Sequence, residues 1–271
     1  TEMWNNAATQ RNVALLSADG VTIVGPDSGA LAGGDVGPGR MVEPEEIVAA
    51  LLRILGGDLD GIRAIVTAGG TREAIDPVRY IGNRSSGKMG NAVALEAASR
   101  GAQVSLITTA PAPDALGIEV IAVETAQEMA EQTWSRATAA DVVVMAAAVA
   151  DFRPQVVGEE KMRRADGMPH LELEPTPDIL AGLAGMEDRP FLVGFAAEAG
   201  SLDGALHKAT TKGVDLLVGN DVSRPGSGFA TDTNEVTIYT SDGAAEHLPL
   251  LSKREAAGLL WDRIRDMRSQ G

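Results

Sequence analysis

From Ile62 onward, short apolar runs alternate with stretches whose apolar residues recur at helical spacing, and that rhythm limits the chain to a few architectures. Arg63–Thr67 (RAIVT), Gln103–Thr108 (QVSLIT), Ile118–Val123, Val142–Ala147 (VVVMAA), Phe191–Ala196 and Leu216–Val218 read as strands. Helices are expected from about Ser86 to Arg100, from the capping box Thr125/Glu128 to about Ala139, and over Pro177–Leu183 with Thr176 as N-cap. Two more are expected over Leu202–Lys212 and after the capping box Ser252/Glu255. Strands that are apolar throughout, each followed by a helix, indicate an α/β fold: a mostly parallel sheet with helices on both faces. Glu235–Tyr239 and Glu246–Leu250 read as a β-hairpin, and the polar stretch 151–174 as a mobile flap.

The leading segment is different. A helix (MWNNAATQRNVALLSADG) precedes a short strand, Val21–Val24, and the run GPDSGALAGGDVGPGR has no apolar periodicity and is expected as loop. A helix over Glu45–Leu55 follows, with Pro44 before it and Gly56-Gly57 after it. Such a segment is too short to bury a core of its own.

Composition narrows the function. The net charge of −15 opposes binding to nucleic acid or anionic membranes, and only 3% aromatic residues leaves no stacking platform for single strands. There is no cysteine and there are three scattered histidines, which excludes a thiolate nucleophile and argues against a Cys/His metal cage. No signal peptide or membrane-length apolar run is present, so the expected compartment is the cytoplasm.

Four segments fall at strand ends or helix starts, the ligand-binding edge of open α/β sheets. Thr67–Gly90 places small residues, hydroxyls and the cations Arg72, Arg79, Arg84 and Lys88 before a helix N-terminus, a setting that favours an anion. Gly82–Lys88 nearly fits a P-loop but has Met89 where Ser or Thr should bind Mg2+, and Gly82, Gly87 and Gly90 lack dinucleotide spacing. A glycine-rich turn with surface charges is the plainer alternative. AAAVADFRP (146–154) ends the most apolar strand in small residues and Asp151, suiting either a flat ligand or a tight turn. GEEKMRR (158–164) gathers Lys161, Arg163 and Arg164, either to cover a triphosphate or as a solvated loop. Thr176–Ile179, Phe195 and the lysines Lys208 and Lys212, four apart on one helix face, complete the set, although the lysines alone read as an exposed face.

Taken together, GGTREAIDPVRYIGNRSSGKMG, AAAVADFRP, EKMRR, PTPDIL, VGFAAE and VGNDVSRPGSGF resemble, in order and spacing, the phosphopantothenate–cysteine ligase domain. In bacteria that domain is usually the C-terminal half of a bifunctional protein of coenzyme A biosynthesis. The start, TEMWNNAATQRNV, resembles the end of the preceding flavin-dependent decarboxylase half. The resemblance implies a Rossmann-like ligase domain over 59–271, a linker helix over 44–58 and, over 1–43, the C-terminal remnant of a flavodoxin-like decarboxylase domain. FMN would belong only to the missing part of that half. This chain departs from the family in having Leu31-Ala32-Gly33-Gly34 where a cysteine is usual, and Arg163 and Arg164 where lysines are common.

The resemblance also implies a reaction. The carboxylate of 4′-phosphopantothenate attacks the α-phosphate of CTP, and cysteine then displaces CMP from the acyl-cytidylate. Asn83 and Lys161 are implied as catalytic. Met145, Ala146, Ala147, Asp151, Lys161, Pro177, Asp178, Ile179, Leu180, Phe195, Lys208 and Lys212 would form the CTP site. Gly69, Gly70, Thr71, Arg72, Arg79, Ser85, Ser86 and Gly87 would bind the substrate phosphate. Mg2+ is implied with no assigned protein ligand, as is a homodimer within a larger homo-oligomer of the full-length protein. An NAD(P)-dependent oxidoreductase on the same fold lacks its fingerprint here. A non-catalytic nucleotide sensor would need neither Asn83 nor Lys161.

Overall fold

The computed structural model describes residues 2–31, 34, 36–54, 56–163, 170–198, 212–221, 223, 224, 228 and 231–269, with the side chains of 49, 52 and 53 excepted. Six strands form the parallel body of the main sheet: β3 (Arg63–Ala68), β6 (Gln103–Thr108), β7 (Ile118–Ala122), β8 (Val142–Met145), β11 (Phe191–Glu198) and β12 (Leu216–Asp221). Their order across the sheet is β7-β6-β3-β8-β11-β12, and the antiparallel pair β14 (Val236–Thr240) and β15 (Ala245–His247) extends it beyond β12. The order reverses between β3 and β8, a switch point of the Rossmann kind, where a crevice opens beyond the strand ends.

Alternate residues of each strand serve opposite faces. Ala64, Val66, Val104, Leu106, Val142 and Val144 pack under α4 (Lys88–Ser99) and α7 (Lys253–Arg268). Ile65, Ile107, Val143, Met145, Leu192 and Leu217 pack under α5 (Ala126–Ala137) and α6 (Ile179–Ala184). Both capping boxes form, Thr125 with Glu128 and Ser252 with Glu255. Fully buried Trp261 ties α7 to α4 by donating from Nε1 to the carbonyl of Val93 at 2.9 Å.

Several expectations need correction. Val21–Val24 is not a strand; the glycine-rich run supplies two instead, β1 (Asp27–Ala30) and β2 (Val36–Arg40), paired antiparallel and closed by Arg40 on Asp27 at 3.0 Å. Helix α6 is capped by Asp178 rather than Thr176: Asp178 Oδ1 accepts from Ala181 N at 3.0 Å, whereas the Thr176 hydroxyl donates to Ala150 O at 2.5 Å. Pro177 therefore lies before the helix. The loop after β3 contains a small hairpin, β4 (Arg72–Ala74) with β5 (Tyr80–Gly82). The expected flap is anchored by a second one, β9 (Phe152–Pro154) with β10 (Leu173–Pro175). The helix expected over Leu202–Lys212 falls, except for Lys212, outside the described residues. In the leading segment, α1 (Glu2–Asn5) and α2 (Ala7–Ala18) are followed by the β1–β2 hairpin and α3 (Pro44–Ile54), which rests on α4. Two short strands remain, β13 (Thr233–Asn234) and β16 (Leu251–Ser252), paired with each other.

The site depends on how closely α4 approaches β3. A Cβ on Gly90 would lie 2.6 Å from Ala68 Cβ and 2.7 Å from Thr67 O, so only glycine lets the first turn of α4 sit against the strand end. Gly90→Ala should therefore push α4 outward and destabilise the domain by about 1–3 kcal/mol, the usual cost of overpacking. An unchanged denaturant midpoint for this variant would contradict the close-approach argument.

Candidate functional site

Two loops meet at the switch point and are laced together by buried threonines. Thr67 Oγ1 accepts from Ala147 N at 3.1 Å and Thr71 Oγ1 from Ala150 N at 2.9 Å, both hydroxyls belonging to fully buried residues. Backbone bonds interleave with these: Ala148 N donates to Gly69 O at 2.8 Å and Thr71 N to Ala148 O at 3.3 Å. The lacing ends β8 at Met145, two residues earlier than its apolar pattern suggests. Asn83 is attached to the same frame, its Nδ2 donating to Val149 O at 2.9 Å. A Cβ on Gly70 would come within 2.5 Å of the Asn83 carbonyl, so the two backbones touch.

Three clefts surround this frame. The largest, about 730 Å3, is lined by Met145, Ala147, Asp151, Pro177, Asp178, Ile179, Leu180, Phe195 and Lys212. A second, of about 360 Å3, is lined by Gly70, Arg72, Ser85 and Ser86, with Tyr80, over whose ring Arg72 lies 5.2 Å from the centroid. Asn83 and Arg84 line both, forming the wall where the clefts meet. A narrow third cleft, about 100 Å3, lies at the start of α4, bounded by Gly87, Ala146 and Phe195. Helix α4 begins after Gly87 with no side-chain cap, leaving its first-turn N–H groups to other partners.

In the large cleft Asp178 accepts from Lys212 Nζ at 2.7 Å. Burial pushes its carboxyl up, but the Lys212 ammonium and the Ala181 N–H outweigh that and hold it below the usual carboxylate range. Asp151 is exposed at the cleft edge. Among the described residues no group of three or more His, Cys, Asp or Glu side chains could hold a metal ion.

Other expected site residues have different partners. Gly69 and Thr71 line none of these clefts; their polar groups are used in the lacing. Arg79 is also absent from the clefts: its Nη1 sits 2.5 Å from Asp76 Oδ2 and donates to Met162 O at 3.1 Å. Lys161 is exposed and lines none of these clefts, and its loop is anchored by Asp76 Oδ2, which accepts from Met162 N at 3.1 Å, and by Gly158 N on Ile75 O at 2.9 Å. Lys208 and Arg164 lie outside the described residues. Sequence reasoning passed over Arg84 as a wall residue and Asp76 as an anchor. The Asp-Pro-Val-Arg spacing, a turn signal, could have pointed to the latter.

Asp76 is the hook for the basic loop. Burial pushes its carboxyl up, yet the N–H groups of Val78, Met162 and Arg79 and the Arg79 guanidinium overcome this and hold it at about 2. A folded pKa below the unfolded one gives stabilisation that is complete above the unfolded value and is lost as pH falls through about 2. Asp76→Asn should imitate that loss at neutral pH and expose the Met162 amide to hydrogen exchange at least about tenfold faster. Equal protection in the variant and the parent would show that the loop hangs on something else.

The family model for the DNA/pantothenate metabolism flavoprotein C-terminal domain matches residues 59–267, and one for flavoproteins matches 1–56. The chain is 44% identical over 258 residues to the coenzyme A biosynthesis bifunctional protein CoaBC of Vibrio vulnificus (strain CMCP6), covering 93% of this chain and 64% of that one. It is 45% identical over 284 residues to the CoaBC of Mycobacterium tuberculosis (strain H37Rv), covering 97% and 68%. It thus spans about two thirds of the length of these curated relatives. A crystal structure of the C-terminal domain of CoaBC superposes with a TM-score of 0.67 at 38% identity, covering 79% of this chain and all of that one. The chain belongs to the family defined by the DNA/pantothenate metabolism flavoprotein C-terminal domain.

Proposed function

We propose that this chain carries the ligase step of coenzyme A biosynthesis, joining 4′-phosphopantothenate to cysteine at the expense of CTP. One observation carries the reading: two clefts share a single wall, Asn83 and Arg84. A reaction that joins a carboxylate to a nucleotide's α-phosphate needs two binding sites that meet at the reacting atoms. The relatives' name, which refers to coenzyme A biosynthesis, supports the same pathway.

In this reading CTP occupies the large cleft. Its base lies against Phe195 and Ala147, with Ala146 in the adjoining narrow cleft, and Asp178 and Lys212 form the charged side. The phosphate of phosphopantothenate lies in the second cleft, near Arg72, Arg84, Ser85 and Ser86. The carboxylate attacks the α-phosphorus, the bond to the β-phosphate oxygen breaks, and pyrophosphate leaves. The cysteine amine then attacks the acyl carbon and CMP departs. Asn83, oriented by Val149 O, has a second amide N–H to offer the acyl group. Lys161 would act on phosphate charge, which requires its loop to close over the cleft.

Magnesium screens the triphosphate when bound. With no multi-ligand acidic cluster among the described residues, it would be held mainly by phosphate oxygens, with Asp151 as a carboxylate on the cleft edge. The match of residues 1–56 to flavoproteins supports FMN binding by the decarboxylase half to which the leading segment corresponds; among the described residues β1 and β2 pair only with each other. No described helix is long and apolar enough to cross a membrane. The exposed apolar residues Val78, Tyr80, Phe152, Val156, Val157 and Leu173, on or beside the two hairpins, support a homodimer in which a second copy covers them.

The test is single-turnover quench with labelled CTP, following acyl-cytidylate and CMP separately. CTP should support turnover far better than ATP or GTP. Asn83→Asp should still release pyrophosphate and accumulate acyl-cytidylate, while Lys161→Gln should slow the first step by roughly two to three orders of magnitude. Equal rates with ATP would overturn the pyrimidine site, and a normal first step in Lys161→Gln would make the basic loop a solvated surface.

A further inference from the structure

Lys253, the first residue of α7, is a buried cation that the proposed reaction does not use. Its Nζ donates to three carbonyls close together in the sequence: Gly228 at 3.0 Å, Thr233 at 3.5 Å, and Thr231. Its backbone N–H donates to a fourth, Asp232 O, at 3.0 Å. An ammonium has three donors and no acceptor, so three converging carbonyls saturate it. Asp232 is also held from the other side, because Lys88 at the start of α4 meets its Oδ1 at 2.5 Å. Strands β13 and β16 continue the attachment, with Thr233 opposite Ser252 and Asn234 opposite Leu251.

This attachment borders the narrow cleft. Gly228, Asn234 and Lys253 form one side of it, and the start of α4 with Phe195 and Asn220 forms the other. Phe195, Ala147, Ala148 and Ala197 line both this cleft and the large one, while Ser85 and Ser86 line both this cleft and the second, so more of its described lining is shared with the nucleotide's cleft than with the other. Burial and the nearby Lys88 press the Lys253 ammonium toward its neutral form, while Asp232 opposes them. Holding a buried charge against that pressure to fasten these carbonyls suggests that their position matters.

We propose that Lys253 is a positioning residue for nucleotide binding: by holding the carbonyls of Gly228, Thr231 and Thr233 it fixes the residues that border the narrow cleft between α4 and the ends of β11 and β12. It touches neither reacting group, having no donor left to offer. The inference rests on the ligase reading for the identity of the nucleotide, though not for the mechanics of the attachment.

Lys253→Met keeps the apolar stem but leaves the carbonyls without their donor. Lys253→Arg keeps the charge in a planar fork that does not match three converging acceptors. Steady-state kinetics and calorimetric CTP binding on the full chain, with thermal unfolding as control, read both variants. Lys253→Met should raise the CTP KM and Kd about tenfold or more, the effect of unsatisfying a buried network, and leave the phosphopantothenate KM within about twofold. Lys253→Arg should fall between, and its CTP KM decides the matter if the methionine variant does not fold. An unchanged CTP KM and Kd, or equal loss for both substrates in step with a lowered Tm, would overturn the proposal and leave Lys253 a support for α7. If the parent binds CTP but does not turn over, the ligase reading fails and the shift in Kd still decides the role of Lys253.

Discussion

The hydroxyls of Thr67 and Thr71 hold the two halves of the crevice together, and the rest of the site is built on that joint. Each accepts from a backbone N–H of the loop after β8, at 3.1 and 2.9 Å, and both threonines are fully buried. A buried N–H left without its acceptor costs about 1–3 kcal/mol, so a slack joint would be expensive and the geometry is well determined. Val149, within the laced loop, in turn holds the Asn83 amide. Asn83 and Arg84 then separate one cleft from the other. The path from strand to shared wall is thus a short series of hydrogen bonds.

Electrostatics act on this frame locally, against the overall charge. A chain of net charge −15 repels anions at long range, and binding one depends on where its few cations stand. Arg72 and Arg84 stand in the second cleft and Lys212 in the large one. The exposed pairs on the outer surface, such as Arg263 with Glu246, contribute little to stability. Asp76 is different because it is buried and accepts from the basic run at Met162 N, beside the Gly158 N bond to Ile75 O.

Much of the scaffold was legible because its signals are local. The apolar runs of β3 and β6 and the capping boxes of α5 and α7 depend on neighbouring residues, and the structure has them where the pattern puts them. The parts that were not legible are decided by distant partners. Thr176 and Asp178 are both good caps by type, and the choice falls to Asp178 because the Thr176 hydroxyl is taken by Ala150 O. Arg79 reads as a phosphate cation until the burial of Asp76, three residues earlier, gives it a fixed partner. Val21–Val24 has strand composition but no ladder, while the glycine-rich run finds one in itself. Lys253 is a lysine after a capping serine in the sequence, and only the fold brings its three carbonyls together.

In the proposed reaction the shared wall delivers a carboxylate oxygen to the α-phosphorus of a nucleotide. This delivery is tested most directly by turning over phosphopantothenate labelled with oxygen-18 in its carboxylate, with CTP and cysteine, and weighing the products by mass spectrometry. An oxygen that attacks the α-phosphorus departs with CMP when the amine displaces it, so one labelled oxygen should appear in each CMP. Label in orthophosphate or pyrophosphate, with CMP unlabelled, would mean that activation occurs at another phosphorus and that the clefts do not meet as described.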